Sequence, residues 1–214
     1  MNGPIVRVFG VVMLLFALLV FFTSRWTVID RAELQDNPQN KRALIAQQKI
    51  DRGPIFAADG SVLARSLRRT DGTYTRRYPR DGLFAHAVGY AYLNPGTAGL
   101  ERFYNGPLSG RGQGLQRTLR KLQGKREEGD DLRTALDPVA QQVAIDQLGG
   151  RAGAVVALDP RTGRVKVMTS VPGYDPNVLR SASATARLNS APGSPLFNRV
   201  TQSGYPPGST FKVV

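Results

Sequence analysis

No cysteine occurs in the 214 residues. That excludes a disulfide framework, a thiolate metal site and a cysteine nucleophile together, and it suits an oxidising compartment, where a stray thiol is a liability. Histidine occurs once, at His86. A catalytic triad would have to be built there beside an Asp, and a packing role is the simpler assignment. Acidic residues are also scarce: 16 Asp and Glu against 29 Lys and Arg give a formal charge of +13. The excess concentrates between Lys41 and Arg126, where 17 basic residues face 5 acidic ones. Such a surface attracts polyanions, whether nucleic acid, lipid headgroups or anionic wall polymers. A merely well-solvated surface would have the same composition. Hydrophobic residues, at 41%, are ordinary for a folded chain and too many for a disordered one.

One long apolar run is present, Val8 to Phe22. Its 15 residues cover only about 22 Å as a helix. Extended from Ile5 to Trp26 it covers about 33 Å, enough for the bilayer core, with Arg7 and Trp26 at the two interfaces. No A-x-A cleavage pattern follows, and a bulky Trp26 stands near the exit. The run therefore reads as an uncleaved signal anchor, with the N-terminus cytoplasmic and the body exported. An exported body sets nucleic acid aside and leaves lipid or wall polymer as anionic partners.

Beyond the anchor, residues 30–50 predict a helical neck broken at Asn37-Pro38. Arg52 to Ser66 predicts a hairpin, Ile55–Ala58 and Val62–Ala64 joined by the two-residue turn Asp59-Gly60. Residues 67–126, rich in Gly, Arg and Tyr, predict an irregular strand-bearing module. The spacing Gly110-x-Gly112-x-Gly114 lacks the strand and helix that give a phosphate loop its meaning, and reads as a turn. Asp137-Pro138 is a helix start, with Val139, Val143 and Ile145 supplying apolar surface and Gly149-Gly150 ending it. Ala154–Leu158 and Val165–Met168, around the turn Asp159–Gly163, predict an antiparallel ribbon. Two strands bury too little surface to stand alone, and residues 171–214 read as mostly loop. The domain begun here is expected to be unfinished. Glu127, Glu128, Asp130 and Asp131 read as a solvated linker, and Glu101 as structural.

The sharpest chemical signal is Tyr205-Pro-Pro-Gly-Ser-Thr-Phe-Lys-Val-Val214. Ser209 is expected to open a helix, with Lys212 three residues on and therefore on the same face. A serine hydroxyl becomes a nucleophile when a base takes its proton. A lysine can be that base only when neutral, which needs burial or a nearby positive charge.

With these residues in view, the chain resembles the class B penicillin-binding proteins, most closely the penicillin-binding protein A type of actinobacteria. Arg52-Gly-Pro-Ile-Phe-Ala-Ala-Asp-Gly-Ser-Val-Leu-Ala64 resembles the family's first pedestal segment. His86-Ala-Val-Gly-Tyr90 and Gly99-Leu-Glu-Arg-Phe-Tyr-Asn105 resemble its second. Gly129 to Asp137 resembles the entry to the transpeptidase domain, and Gly153 to Asn177 its first two strands and the following loop.

The resemblance implies three parts. Residues 1–26 would be a cytoplasmic stub and transmembrane anchor. Residues 27–128 would be an α+β pedestal of the dimerisation type. Residues 129–214 would open an α/β serine transpeptidase domain of the β-lactamase-like fold. It implies D,D-transpeptidation of D-Ala-D-Ala stem peptides of peptidoglycan, with Ser209 as nucleophile, Lys212 as its base, and the Ser209 amide as half of an oxyanion hole. β-Lactams would trap the serine, no cofactor is implied, and nucleic acid is not a partner. The setting would be the membrane during wall synthesis at division, beside a separate glycosyltransferase. A β-lactam-sensing receptor and a non-catalytic scaffold are the rival readings. The family's Ser-x-Asn and Lys-Thr-Gly motifs do not occur in these residues. The 214-residue chain alone is therefore expected neither to acylate nor to transpeptidate. Incubation with penicillin followed by intact mass spectrometry checks this, and a stoichiometric adduct overturns it.

Overall fold

The computed structural model describes residues 3–25, 48–110 and 128–213, in two units, residues 1–45 and 46–214. The first contains α1, Gly3–Ser24, 22 residues long, about 33 Å at the rise of an α-helix. By length and composition it can cross a membrane. Thr23 turns its hydroxyl back onto the Leu19 carbonyl at 2.7 Å, hiding the polar group against the helix. Trp26, the expected interfacial anchor, and the predicted neck up to residue 47 lie outside the described residues, as does the glycine spacing beyond Gly110.

The second unit opens with a four-stranded sheet of β1 (Ile55–Phe56), β2 (Val62–Arg68), β3 (Tyr74–Arg77) and β4 (Leu132–Arg133), in the order β3-β2-β1-β4. β1 and β2 form the predicted hairpin, but its loop is one residue longer than expected. Ala57 N–H bonds the Ser61 carbonyl at 2.9 Å, enclosing Ala58, Asp59 and Gly60. Gly60 takes φ +81°, and the Asp59 carboxylate accepts from Ser61 N–H at 2.9 Å. The β2–β3 loop repeats this device, with Arg69 N–H to Thr73 carbonyl at 2.7 Å and Gly72 at φ +79°. An aspartate that caps its own turn followed by a glycine in the left-handed region is the requirement of a three-residue hairpin loop.

After β3 come a 3-10 turn, Asp81–Phe84, and three short helices: α2 (Ala85–Val88), α3 (Gly99–Phe103) and α4 (Asn105–Leu108). The core is built from Ile55, Leu63, Tyr78, Phe84, Val88, Leu108 and Leu136. β4 then runs parallel to β1. Glu127 lies outside the described residues; Glu128, Asp130 and Asp131, expected as a solvated linker, are exposed and run alongside the sheet layer. Glu128 bridges Asp51, Gly129 N–H bonds the Asp51 carbonyl at 2.8 Å, and Thr134 N–H bonds Phe56 at 2.9 Å. A Cβ at Gly129 would sit 1.8 Å from the Leu108 carbonyl, so only glycine fits. Beyond residue 128 the polypeptide adds β4 to this sheet.

The remainder holds α5 (Pro138–Leu148), β5 (Gly153–Leu158), β6 (Val165–Val171), a 3-10 turn at Pro176–Arg180, α6 (Ala182–Ser190) and a last 3-10 turn at Gly208–Val213. Asp137 caps α5 as predicted, accepting from Val139 and Ala140 N–H at 2.9 and 3.1 Å, and Gly149 ends it at φ +56°. The buried face is not the predicted one. Val139 and Val143 are 74% and 53% exposed, while Gln141 is fully buried. Its amide nitrogen donates to the Leu83 and Met168 carbonyls at 2.9 and 2.8 Å, and its oxygen accepts from Met168 N–H at 3.0 Å. Unpaired backbone groups of β6 select the polar side of the helix, because leaving them buried and unbonded costs more than exposing two valines. The β5–β6 ribbon forms with the predicted turn. It is covered by α5 and by the pedestal elements Asp81–Phe84 and α2. α6 forms within the stretch expected as mostly loop; Ser181 caps it, and a short Ala- and Ser-rich helix with one buried residue, Ala184, carries little periodic signal.

Across the pedestal, three segments meet on one carboxylate. Glu101 of α3 is completely buried and accepts from Arg52 Nε at 2.5 Å and Arg76 Nε at 2.6 Å. Arg52 also donates to the Glu101 carbonyl at 2.6 Å and to Asn105 Oδ1 at 2.7 Å. Arg76 donates to the Arg52 and Gly53 carbonyls at 2.9 and 2.8 Å. Removing one partner of a buried ion pair leaves uncompensated charge, at a cost of about 3–5 kcal/mol. Glu101→Gln is therefore expected to destabilise the unit by about that amount in a urea titration. A loss below about 1 kcal/mol would show that the two arginines do not depend on its charge.

Candidate active site

Ser209 and Lys212 lie on the 3-10 turn Gly208–Val213, and both are exposed. The expected α-helix is a six-residue 3-10 turn. At three residues per turn, positions i and i+3 eclipse, so the two side chains share one face more strictly than α-helical spacing would give. Gly208 enters the turn at φ +56°, a conformation that costs a side-chain-bearing residue strain and glycine nothing. Among the described residues neither side chain makes a hydrogen bond or an ion pair. The six-residue turn is too short for a helix dipole to matter much at Ser209.

The segment that carries the turn is fastened at Asn198 and Arg199. Arg199 N–H bonds Ser170 Oγ at the end of β6 (3.2 Å), and Asn198 Nδ2 donates to the His86 carbonyl of α2 (3.2 Å). The Arg199 guanidinium lies over the Phe197 ring, 5.7 Å from its centroid.

The loop after β6 is bound to the pedestal in turn. Asn177 accepts from Tyr78 N–H and donates back to the Tyr78 carbonyl, both at 3.0 Å, and its amide also reaches Asp175 and Asp81. Tyr174 donates to the Ala85 carbonyl at 3.2 Å. Gln141, Asn177 and Tyr174 carry no signal of these roles in the sequence. Only their partners, between 27 and 99 positions away, define what they do. Gly82, Leu83, Gln142, Ile145 and Tyr174 contribute to a cleft of about 490 Å³ between α5 and this loop, and Ser209 is not in its lining.

His86 is buried, edge-on to Tyr174 with ring centroids 5.2 Å apart. Burial lowers its pKa first of all, the Pro172 backbone opposes this by hydrogen bonding, and the Arg199 charge lowers it further. No carboxylate contributes, so the packing assignment stands and the triad does not. Among the described residues no three His, Asp or Glu side chains gather where a metal ion could sit. Asp51 is pushed up by partial burial and by Glu128 beside it. Tyr78, its phenol 3.4 Å from Glu101, is pushed well above its ordinary value, chiefly by burial.

With the pedestal, the ribbon and the serine turn in place, two family models match the chain. Residues 52–132 fit the penicillin binding protein A dimerisation domain, and residues 153–214 the penicillin binding protein transpeptidase domain. The chain belongs to the penicillin-binding proteins. It is similar to the peptidoglycan D,D-transpeptidase PbpA of Mycolicibacterium smegmatis, with 36% identity over 229 residues covering 100% of this chain and 46% of the relative. Penicillin-binding protein A from M. tuberculosis, solved as an imipenem acyl-enzyme complex, superposes with a TM-score of 0.72 at 35% identity, over 78% of this chain and 41% of that one. The Escherichia coli D,D-transpeptidase MrdA is 34% identical over 175 residues, 65% of this chain and 27% of that protein. The chain spans about half the length, or less, of these relatives.

Because the folded-state pKa of His86 is depressed, the unfolded chain takes up a proton first as pH falls. Stability is then constant above the ordinary value of about 6.5 and declines below it. The melting temperature is expected to drop between pH 7.5 and 5.5, and His86→Phe is expected to remove part of that drop. An identical pH profile for the variant would rule out His86 as its source.

Proposed function

We propose that this chain is part of a peptidoglycan D,D-transpeptidase that works through a serine acyl-enzyme. The observation that carries the reading is the eclipsed placement of Ser209 and Lys212 on one 3-10 turn, in a chain of this family. Ser209 Oγ attacks the carbonyl carbon of the penultimate D-alanine of a stem peptide while Lys212 accepts its proton. The C–N bond breaks, the proton passes to the leaving amine, and D-alanine departs. An amine of a neighbouring strand then attacks the ester, forming the cross-link and returning the proton to the serine. The Ser209 N–H stabilises the oxyanion in both steps, with a second donor required beside it. β-Lactams would acylate the same serine; the M. tuberculosis relative forms an acyl-enzyme with imipenem.

Lys212 can act only after losing its proton, which needs burial or a neighbouring cation. It is exposed among the described residues, so the reading requires further polypeptide to cover the turn. We further assign residues 1–26 to a single-pass anchor with a cytoplasmic N-terminus, 27–128 to the pedestal and 129–214 to the start of the catalytic domain. The body would lie outside the membrane, cross-linking at division the strands made by a separate glycosyltransferase.

The test is intact mass spectrometry after exposure to penicillin, on a chain continued to the length of its relatives. One penicilloyl adduct on Ser209, absent in Ser209→Ala and slowed about 10²–10⁴-fold in Lys212→Ala, is the expected result. A folded protein without an adduct would leave a non-catalytic scaffold.

A further inference from the structure

The exposed face of the β2–β3 hairpin carries charge that the family reading does not use. Arg65 and Arg77 are direct partners in the antiparallel register, so their Cβ atoms lie about 5 Å apart on one face. Leu67 and Thr75 form the next pair on that face, and Arg69 follows, about 13 Å along the strand from Arg65. All three arginines are exposed, Leu67 is 40% exposed between two of them, and Arg68 is exposed at the end of the strand. Like charges placed directly opposite each other destabilise a strand pair. Among the described residues none of these arginines is in an ion pair. Asp71, the one acid of the hairpin, already accepts from Thr73 N–H and Oγ1 at 2.9 and 2.6 Å. Between Arg52 and Gly110 the chain uses eight arginines and no lysine. The planar guanidinium fork matches phosphate oxygens in a way that an ammonium does not.

We propose that this hairpin face is a docking surface for the phosphodiester headgroups of an anionic bilayer. Charge complementarity selects an anion. The exposed Leu67 amid arginines fits the boundary between headgroups and acyl chains, where an isolated wall polymer offers no apolar layer. The same chain carries the membrane-length helix α1, and residues 26–47 separate it from the hairpin's unit by at most about 75 Å of extended chain. A weak surface site tethered this closely to a bilayer works at a high effective concentration. The alternative role, in which arginines on and beside the edge strand β3 block sheet-to-sheet aggregation, requires no ligand.

Absence of cysteine makes the test clean, since Thr70→Cys at the hairpin tip introduces the one labelling site. The full chain, carrying a fluorophore there, is reconstituted into phosphatidylcholine bilayers with or without about a third phosphatidylglycerol. Quenching by acrylamide, which is neutral and ignores surface potential, reports exposure of the hairpin tip. The expected result is quenching about threefold weaker in the anionic bilayer, restored by molar salt and absent in the Arg65→Gln, Arg69→Gln, Arg77→Gln variant. That variant keeps Arg52 and Arg76, so its melting temperature should match the parent; an Arg→Lys version at the same three positions should retain part of the effect. Equal quenching in both bilayers overturns the proposal and leaves the anti-aggregation role. Protection by soluble poly(glycerol phosphate) but not by anionic lipid overturns it in favour of a wall polymer.

Discussion

The Glu101 carboxylate is the point on which the pedestal depends. Arg52 enters before β1, Arg76 sits on β3, and Glu101 is on α3; each segment is too short to be stable by itself. Burying two guanidiniums and one carboxylate costs several kcal/mol per ion. The cost is offset because the Glu101 oxygens and several guanidinium N–H groups find partners, three of them the backbone carbonyls of Arg52, Gly53 and Glu101. A buried cluster of this kind tolerates one register only. Sliding β3 by a residue would turn Arg76 to solvent and bring Arg77 or Thr75 inward. In a module with two-residue strands and four-residue helices, polar geometry specifies what apolar area cannot.

The second constraint lies where the pedestal meets the β5–β6 ribbon. Gln141 bonds the backbone of Leu83 on one side and of Met168 on the other, and Asn177, from the loop after β6, pairs with both the N–H and the carbonyl of Tyr78; each side chain donates and accepts at once. A two-stranded ribbon that looks unstable in isolation is stabilised by covering elements from a part of the chain already folded. The serine turn inherits its position from this junction through Asn198 and Ser170. The chemistry proposed for Ser209 is local, but where that serine is held depends on contacts that reach back to His86 and Tyr78.

Local devices were legible. The apolar run, the Asp137-Pro138 cap, both strands of the ribbon and the spacing of Ser209 to Lys212 need only neighbours in the sequence to be understood. α6 escaped because a nine-residue helix with one buried alanine lacks a period. Apolar residues point to the wrong face of α5, because unpaired strand backbone, not hydrophobicity, decides that Gln141 is buried. The pairing of β4 with β1 was invisible, since two-residue strands carry no pattern and their partners stand almost 80 residues apart.

The amino-acid sequence by itself determined the long apolar helix, the place of the turn at Asp59-Gly60, the cap of α5 and the three-residue spacing of serine and lysine, because each is set by preferences acting over a few neighbouring residues. Tertiary structure alone decided that Glu101 would join two arginines, that Gln141 rather than Val139 would face inward, and that pedestal and ribbon would share one packed junction. Those outcomes depend on which buried donors and acceptors lack partners, a quantity that exists only once distant segments have met.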